Sequence, residues 1–318
     1  MMDRFGRRVT YLRVSLTNRC QLACTYCTLP DEPTTVLQPQ EVEHLIEVCA
    51  RRLGFRKVRL TGGEPTLRRD LPDIVSRLSA IAGLREVALT TNGMLLDRRA
   101  KELAEAGLHT VNVSCDTLDP ARFEALTGGG KLEDVLEGLR AAREAGIENR
   151  KINAVLQADI TDEEVEAFVE LSAREDVEVR FIEHMPMDSE RIGSERIDPR
   201  VVLTRLGERF GCEPLPTRAN GGPAERFAVG AARIGFIHAM SNPFCDRCNR
   251  LRVTAEGKIR SCLLTGGEVD LLAVMRSGER PEVIEEGLVA AMTEAADAKP
   301  PIYDLQREGS ISMRAIGG

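Results

Sequence analysis

Three cysteines near the start of the chain have the spacing of a metal-binding loop. Cys20, Cys24 and Cys27 form a Cys-x3-Cys-x2-Cys set. Thiolates are soft ligands, which select zinc or iron–sulfur centres over hard cations. A structural zinc site is normally closed by four ligands, and the nearest histidine, His44, falls on a predicted helix. Three thiolates on a four-iron cluster instead leave one iron without a protein ligand.

An iron without a protein ligand can bind a small molecule. The amino and carboxylate groups of S-adenosylmethionine (SAM) can chelate it, which places the sulfonium beside the cluster for one-electron cleavage to a 5′-deoxyadenosyl radical. The spacing therefore indicates a SAM-binding [4Fe–4S] cluster. A zinc knuckle, or cysteines grouped by chance, is the alternative interpretation.

A second group of cysteines stands near the end of the chain. Cys245, Cys248 and Cys262 form a Cys-x2-Cys-x13-Cys set, with the first pair in a loop and the third on a predicted returning strand. Bound to a [4Fe–4S] cluster, these thiolates would again leave one iron open. The alternative is a Cys3His zinc site that uses His238.

Two arginines after Cys248 indicate what binds beside this second group. Arg250 and Arg252 alternate on a predicted strand, so both side chains project from one face. Guanidinium groups stay charged and hold phosphate oxygens in bidentate geometry. The segment therefore predicts a phosphate-bearing ligand, such as a triphosphate. Without the cysteines, a solvated basic strand face would be the simpler interpretation.

The composition is that of a globular protein, with 42% hydrophobic and 29% charged residues in a chain of 318. The net charge of -7 argues against nucleic acid or a membrane surface as a partner. With no apolar run of about 18 residues and no signal-peptide pattern, a cytoplasmic location is expected. Thiols stay reduced there, which favours metal ligation by the two groups and leaves Cys49, Cys115 and Cys212 as structural thiols.

Repeated strand–helix units must position these side chains. From residue 11 to about residue 210, short β-rich runs alternate with amphipathic stretches, which is typical of a parallel sheet. The predicted strands are Tyr11–Leu16, Lys57–Leu60, Glu86–Thr90, Thr110–Ser114, Lys151–Leu156 and Glu178–Ile182. The predicted helices include Pro39–Leu53, Leu71–Ile81, Asp97–Ala106, Leu132–Ala145 and Thr161–Arg174. Hairpin strands follow at Arg233–His238, Leu251–Thr254 and Lys258–Ser261, then two helices.

Six such units fall short of the eight that close a full barrel. We therefore predict an α/β fold, with a partial (β/α)6 TIM-type barrel over residues 1–212. A C-terminal α+β extension over residues 213–318 would carry the second cluster. Barrels of this type bind their ligands at the C-terminal ends of the strands, which is where the residues of interest fall.

Two motifs together resemble the radical SAM superfamily. The Cys-x3-Cys-x2-Cys loop follows the first strand, and Thr61-Gly62-Gly63-Glu64-Pro65 matches the SAM-binding glycine-rich turn of that superfamily. Glycine suits a strand end that approaches a ligand closely, and a glutamate there can accept hydrogen bonds from an ammonium group. Tyr26, between two of the cysteines, adds to the match.

Within that superfamily, the chain is similar to the GTP 3′,8-cyclases of molybdenum cofactor biosynthesis. The similarity lies in Leu12-Arg-Val-Ser-Leu-Thr-Asn-Arg-Cys20, in the segment from Phe244 to Cys262, and in the terminal Gly317-Gly318. The resemblance implies that the SAM-derived radical abstracts hydrogen from C3′ of GTP. The sugar radical then attacks guanine C8 to give 3′,8-cyclo-7,8-dihydro-GTP. The implied cofactors are SAM and two [4Fe–4S] clusters, one on each cysteine group.

The resemblance also implies roles for individual residues. SAM contacts are implied at Tyr26, Gly62, Gly63, Glu64, Ser114 and Met185. GTP contacts are implied at Arg13, Lys57, Arg59, Thr90, Lys151, Asn153, Arg180, Arg250, Leu251 and Arg252, with Arg13, Lys151, Arg250 and Arg252 in catalytic roles. Gly317 and Gly318 belong to a tail that reaches the active site in that family. Taken singly, Ser114 and Thr90 could be strand-end caps, and Met185 a core residue.

The implied partners are GTP, a flavodoxin- or ferredoxin-type reductant, and cyclic pyranopterin monophosphate synthase as the next enzyme. A homodimer is also compatible with the resemblance. Two other functions stay open. One is a radical SAM enzyme that modifies a peptide, although such enzymes usually have more than three auxiliary cysteines. The other is a non-catalytic zinc- or iron-binding protein.

Overall fold

Strands and helices alternate through the first two-thirds of the chain, as the sequence predicts. A computed structural model of the protein describes residues 1–27, 33–185, 197–216, 222–263 and 268–301. The strands are β1 Tyr11–Ser15, β2 Lys57–Thr61, β3 Glu86–Thr91, β4 Thr110–Ser114, β5 Asn149–Val155, β6 Glu178–Ile182, β7 Glu213–Pro214, β8 Glu225–Val229, β9 Ala232–Ile237, β10 Arg250–Val253, β11 Lys258–Arg260 and β12 Glu268–Asp270. The helices are α1 Pro39–Leu53, α2 Leu71–Ser79, α3 Leu96–Glu105, α4 Pro120–Thr127, α5 Leu132–Glu144, α6 Asp162–Glu175, α7 Pro199–Phe210, α8 Leu271–Met275 and α9 Pro281–Asp297.

All strands in the described residues belong to one 12-stranded sheet. Its order is β12-β11-β10-β1-β2-β3-β4-β5-β6-β9-β8-β7. The strands from β10 through β9 in this order are parallel, and the strands beyond them at either end are antiparallel. The outermost strands, β12 and β7, each pair with one neighbour, so the sheet is an open barrel. The predicted α/β fold class with a partial barrel is confirmed.

The strands after residue 212 extend the same sheet. The sequence predicts β9, β10 and β11 as hairpin strands but does not predict β7, β8 or β12. Strand β10 does pair with β11, while β9 pairs with β8. In addition, β10 lies parallel to β1 and β9 lies parallel to β6, one at each edge of the six-stranded barrel. An uncovered edge strand exposes unpaired backbone groups, and the two hairpins cover both edges. The predicted division of the chain at residue 212 stays a prediction.

Helix ends follow local rules that are visible in the sequence. Helix α1 begins with a capping box between Gln38 and Glu41 and ends at Gly54, which has φ 73°. Helix α6 begins with a capping box between Thr161 and Glu164. The sequence analysis did not predict α4. This helix is short, with eight residues, and its N-cap is Asp119. The sequence analysis also did not predict α7. None of the described helices is long and apolar enough to cross a membrane.

The strands sort their side chains between two faces. On β1, Leu12 and Val14 are buried in the hydrophobic core beneath the helices. Tyr11 and Arg13 alternate with them and face the inside of the open barrel, where they line a cavity. The same alternation on the other parallel strands brings polar side chains to that inner face. Because the apolar residues of each strand are buried in the core, only the residues that alternate with them can reach a ligand inside the barrel.

Candidate functional site

One cavity of about 490 Å³ lies on the inner face of the sheet and reaches the C-terminal ends of the parallel strands. Both cysteine groups contribute to its wall, although they come from opposite ends of the sequence. The predicted site residues on this wall are Cys20, Cys24, Cys27, Cys245, Cys248, Cys262, Arg13, Tyr26, Lys57, Arg59, Gly62, Gly63, Thr90, Ser114, Asn153, Arg180, Met185, Arg250 and Arg252. The fold thus brings most of the predicted site into a single chamber.

Hydrogen bonds hold the first cysteine loop in place. The backbone N–H of Leu22 donates to Cys20 Sγ at 3.4 Å, and Asn92 Nδ2 donates to the same sulfur at 3.8 Å. The loop also rests on the end of α4, because Ala23 N donates to the carbonyl of Thr127 at 2.9 Å. Burial raises the pKa of Cys20. Iron binding would therefore have to release a proton from this thiol.

The turn after β2 packs tightly against the backbone that leads into Cys20. Gly63 N donates to the carbonyl of Thr17 at 2.7 Å, and Glu64 N donates to that of Arg19 at 2.7 Å. A Cβ atom on Gly62 would lie 2.5 Å from the Thr17 oxygen, and one on Gly63 would lie 2.3 Å from the Arg19 oxygen. Only glycine permits this approach. The two glycines therefore set the position of the cysteine loop.

Glu64 lies behind this turn rather than on the cavity wall. Its buried carboxylate accepts hydrogen bonds from Thr66 N at 3.0 Å, Thr91 Oγ1 at 2.7 Å and Asn92 N at 2.7 Å. Burial raises its pKa, and these donors act in the opposite direction. Glu64 joins the turn after β2 to the end of β3. A direct contact with SAM stays a prediction.

Three arginines stand in one row across neighbouring strands. The register aligns Arg252 on β10 with Arg13 on β1, and Arg13 with Arg59 on β2. Burial and the charge of Arg252 lower the pKa of Arg13, and burial and the charge of Arg250 lower that of Arg252 to about 10. Like charges held this close destabilise one another, so the row is suited to a polyanion.

A tyrosine lies among these cations. Tyr11 is aligned with Arg250 on one side and Lys57 on the other, and Arg59 Nε donates to its hydroxyl. Burial alone would raise the pKa of Tyr11, but the charges of Arg59, Arg13 and Lys57 lower it to about 8. Its phenol is thus an acidic group held among these cations.

A mixed charge cluster surrounds Arg180, which lines the cavity. Glu178 accepts hydrogen bonds from Arg180 Nε at 2.6 Å and Arg226 Nε at 3.0 Å. Lys151 is aligned with Glu178 across β5 and β6. Burial and the charge of Arg180 lower the pKa of Lys151 to about 7. Although Lys151 is not on the cavity wall itself, it is buried beside this cluster, where a bound anion would stabilise its charged form.

The second cysteine group is surrounded by positive charge. A short 3₁₀ turn, Cys245–Arg247, brings Cys245 and Cys248 together, and Cys248 N donates to the carbonyl of Cys245 at 3.3 Å. Burial would raise the pKa of Cys248, but Arg250 and Lys299 lower it to about 6. The thiolate, which is the form that ligates iron, is therefore favoured at neutral pH. The Arg250 guanidinium also lies 4.8 Å from the centre of the Phe244 ring.

Tyr26, between two cysteines of the first group, has a defined partner. Its hydroxyl donates to Asp116 Oδ2 at 2.5 Å, and Asp116 Oδ1 accepts from Val155 N at 2.8 Å. Burial and the charge of Asp116 raise the pKa of Tyr26 well above its ordinary value. Tyr26 therefore stays protonated and is held against the ends of β4 and β5, beside Ser114 on the same wall.

Three further predicted site residues are Leu251, Gly317 and Gly318. Leu251 lies between Arg250 and Arg252 on β10, but its side chain is buried in the hydrophobic core. Any contact with GTP would have to come from its backbone. Gly317 and Gly318 lie outside the described residues.

The cysteine groups fit iron–sulfur clusters in chemistry and placement. All nine cysteines are free thiols. Within the part of the chain that the structure describes, no three His, Cys, Asp or Glu side chains converge on one point as a single metal ion requires. Ligands of a four-iron cluster bind different iron atoms and stand further apart. His238, which the zinc alternative needs, instead contacts Glu225 at 3.5 Å and Ser241 at 3.5 Å.

Two family models cover most of the chain. The model of the radical SAM superfamily matches residues 14–172, and the model named Molybdenum Cofactor Synthesis C matches residues 177–305. Full-length relatives are similar as well. A GTP 3′,8-cyclase from Thermodesulfovibrio yellowstonii is 40% identical, and one from Pelotomaculum thermopropionicum is also 40% identical, each over 100% of both chains.

The chain belongs to the GTP 3′,8-cyclase family. Membership of the radical SAM superfamily supports SAM and an iron–sulfur cluster as cofactors of this cyclase-family chain. Among solved structures, Streptococcus suis SuiB bound to S-adenosylmethionine is similar with a TM-score of 0.63 and 17% identity. The match covers 83% of this chain and 63% of SuiB. At that identity the likeness concerns the fold.

The structure adds three residues that the sequence analysis did not select for this cyclase-family site. Tyr11, Asp116 and Lys299 all line the cavity. Tyr11 has a signal in the sequence, because it is two residues before Arg13 on a strand and must share its face. Asp116 follows the end of β4, where ligand-binding residues are expected. Lys299 has no such signal, since it follows a C-terminal helix that is distant in sequence from every cysteine.

Proposed function

We propose that the protein is a GTP 3′,8-cyclase, which converts GTP to 3′,8-cyclo-7,8-dihydro-GTP at the start of molybdenum cofactor biosynthesis. Cys20, Cys24 and Cys27 would hold a [4Fe–4S] cluster that, with SAM bound, supplies a 5′-deoxyadenosyl radical. Cys245, Cys248 and Cys262 would hold a second [4Fe–4S] cluster next to the substrate. The observation that carries the proposal is that both cysteine groups and the arginine row line one cavity.

The arginine row supports a nucleotide triphosphate as the substrate. Arg252, Arg13 and Arg59 lie side by side on three strands of an otherwise acidic protein of net charge -7. Planar guanidinium groups bind phosphate oxygens through paired hydrogen bonds. We assign the triphosphate to this row, and Arg13, Lys151, Arg250 and Arg252 to the proposed catalytic roles. Lys57, Thr90, Asn153 and Arg180 are proposed as further contacts to GTP.

The opposite end of the cavity would take SAM. Gly62 and Gly63 lie next to the first cysteine loop, and their backbone can approach a ligand closely. Tyr26 and Ser114 lie on the same part of the wall, and we assign the SAM contacts to these residues and Met185. The site between the two thiol groups would then hold the ribose of GTP near the radical. Enclosure by the barrel would protect that radical from water.

The further partners are also proposals. We infer that a flavodoxin- or ferredoxin-type protein donates the electron to the first cluster, and that cyclic pyranopterin monophosphate synthase uses the product. A homodimer and a role for the Gly317–Gly318 tail in the active site are proposed from the family resemblance.

Anaerobic turnover tests the proposed function. The reconstituted protein is incubated with SAM, dithionite and GTP, and 5′-deoxyadenosine and a cyclised nucleotide are measured. We expect about eight irons per chain, as two four-iron clusters require, and both products in equal amounts. Arg250→Ala and Cys248→Ala should abolish the cyclised nucleotide. A colourless protein with stoichiometric zinc, or SAM cleavage with no nucleotide product, would reject the proposal.

A further inference from the structure

A buried lysine contacts the second cysteine group from outside its own loop. Lys299 is the second residue after α9 and is only 2% exposed. Its Nζ lies 3.5 Å from Cys248 Sγ, 2.7 Å from the Arg250 carbonyl oxygen and 3.0 Å from the Ser261 carbonyl oxygen. An ammonium group has three N–H donors, and these three acceptors use all of them.

The acceptors of Lys299 lie on both segments that carry the second cysteine group. Cys248 and Arg250 belong to the loop and to β10, whereas Ser261 directly precedes Cys262 after β11. One side chain therefore fixes the spacing between two segments that approach the cavity separately. A buried ammonium group needs acceptors for its N–H groups, and the Cys248 sulfur is the one of these three acceptors that belongs to a proposed cluster ligand.

Arg7 anchors the backbone on either side of this contact. Its Nη1 donates to the carbonyl of Cys245 at 2.8 Å and to that of Pro300 at 2.8 Å. Its Nε pairs with Asp3 at 2.6 Å, and both side chains are buried. The N-terminal segment thus joins the first cysteine of the second group to the residue after Lys299. This arrangement links the position of Lys299 to that of Cys245.

We infer that Lys299 is a positioning residue of the second cluster site, which holds Cys248 in place and puts a positive charge beside its sulfur. This inference rests on the proposed function, because it takes Cys245, Cys248 and Cys262 as cluster ligands. The potential of an iron–sulfur cluster depends on net charge and on hydrogen bonds to its sulfur atoms. A fixed ammonium group stabilises the reduced, more negative cluster. Lys299 therefore raises the reduction potential of the second cluster.

A purely structural role gives a different expectation. Lys299 could act only through the two carbonyl groups and hold β10 and β11 together. Its loss would then lower stability without changing the potential of a cluster that still assembles. The potential therefore separates the two roles, whereas activity alone would not.

The test compares neutral and charged replacements of Lys299. Lys299→Met and Lys299→Gln remove the charge, and Lys299→Arg keeps it. Each is prepared in the intact chain for iron counting, and also with Cys20, Cys24 and Cys27 replaced by alanine, so that only the second cluster gives a paramagnetic signal during an anaerobic redox titration. Lys258→Met, on the neighbouring β11, is the matched control because Lys258 pairs with Glu256 at 3.1 Å at the surface.

We expect both neutral variants to lower the equilibrium constant for one-electron reduction about tenfold, which corresponds to about 59 mV. In Lys299→Arg and Lys258→Met, the same equilibrium constant should stay within about threefold of the parent value. The potential would then change by less than half of about 59 mV. Loss of the second cluster in both neutral variants, with the first cluster retained and Lys299→Arg intact, would support the same role.

Two results would overturn the inference and one would overturn the function beneath it. An unchanged potential in both neutral variants removes the role of Lys299 but leaves the proposed function in place. If Lys299→Arg loses the second cluster and Lys258→Met keeps it, a positive charge at position 299 is not what maintains the cluster site. A parent chain that binds only about four irons, as one cluster would require, rejects the second cluster and thus the proposed function itself.

Discussion

The close packing of Gly63 against the first cysteine loop gives a sharp prediction. In Gly63→Ala, the new Cβ would lie 2.3 Å from the Arg19 carbonyl oxygen and 2.6 Å from the Asn18 carbonyl oxygen. Both atoms belong to the backbone, so no side-chain rotation relieves the overlap. The loop must retreat by about 1 Å to reach an ordinary contact distance of 3.4 Å. Cys20 is the next residue along the chain and must move with it.

This displacement should impair the first cluster and leave the second intact. A misplacement of about 1 Å can lower a catalytic rate about 100-fold. We therefore expect Gly63→Ala to cleave SAM about 100-fold more slowly, measured as 5′-deoxyadenosine formed per chain under dithionite. The paramagnetic signal of the second cluster should remain, because Cys245, Cys248 and Cys262 belong to other segments, next to β10 and β11.

Gly207→Ala provides the matched control. Gly207 lies in α7, and a Cβ atom there would meet no heavy atom within 4 Å. The replacement should stabilise the helix by up to about 1 kcal/mol and leave SAM cleavage unchanged. If Gly63→Ala cleaved SAM at the parent rate, the argument that this turn positions the cysteine loop would be wrong.

Three further predictions concern the basic side of the cavity. Because the pKa of Lys151 is about 7 and a bound triphosphate favours its charged form, GTP affinity should fall up to about fivefold from pH 7 to pH 8, with proton uptake on binding measurable by calorimetry in two buffers; a Lys151→Met protein with the same pH dependence would contradict this. In cluster-free protein one phenol should titrate near pH 8 by ultraviolet absorbance and disappear in Tyr11→Phe. Because the pKa of Tyr11 is lowered on folding, the parent should gain about 2 kcal/mol of stability over Tyr11→Phe as pH rises from 8 to 10, and a flat difference in chemical unfolding would refute that assignment. Arg252→Lys keeps the charge but loses the planar fork, so it should weaken GTP binding about tenfold while SAM binding stays the same; equal GTP affinity would exclude bidentate binding at this position.

Local patterns predicted much of the barrel. Helix α1 has the predicted bounds, because Pro39 begins it and Gly54 ends it with a left-handed conformation. The strand positions followed from apolar runs bounded by turns. The sequence analysis selected Arg13 and Arg59 through the family resemblance alone, and their inward positions agree with strand alternation, which leaves them one face when Leu12 and Leu60 are buried.

Long-range pairing was beyond the reach of the sequence pattern. The same hairpin signal fits β10 beside β1 or beside another strand, because strand periodicity carries no information on the partner. The alignment of Arg252 with Arg13 depends on that pairing. Lys299 is a second example. Nothing in its neighbourhood along the chain distinguishes a buried ammonium group from the solvated lysines that are common after helices.

Transfer of a labelled hydrogen tests the central claim most directly. The claim is that one cavity brings the radical formed at the first cysteine group to the ribose of a GTP bound beside the second. GTP that carries deuterium at C3′ is incubated anaerobically with SAM and dithionite, and the 5′-deoxyadenosine is examined by mass spectrometry. We predict one deuterium in each 5′-deoxyadenosine, together with an equal amount of cyclised nucleotide. Unlabelled 5′-deoxyadenosine formed at the same rate with and without GTP would contradict the account.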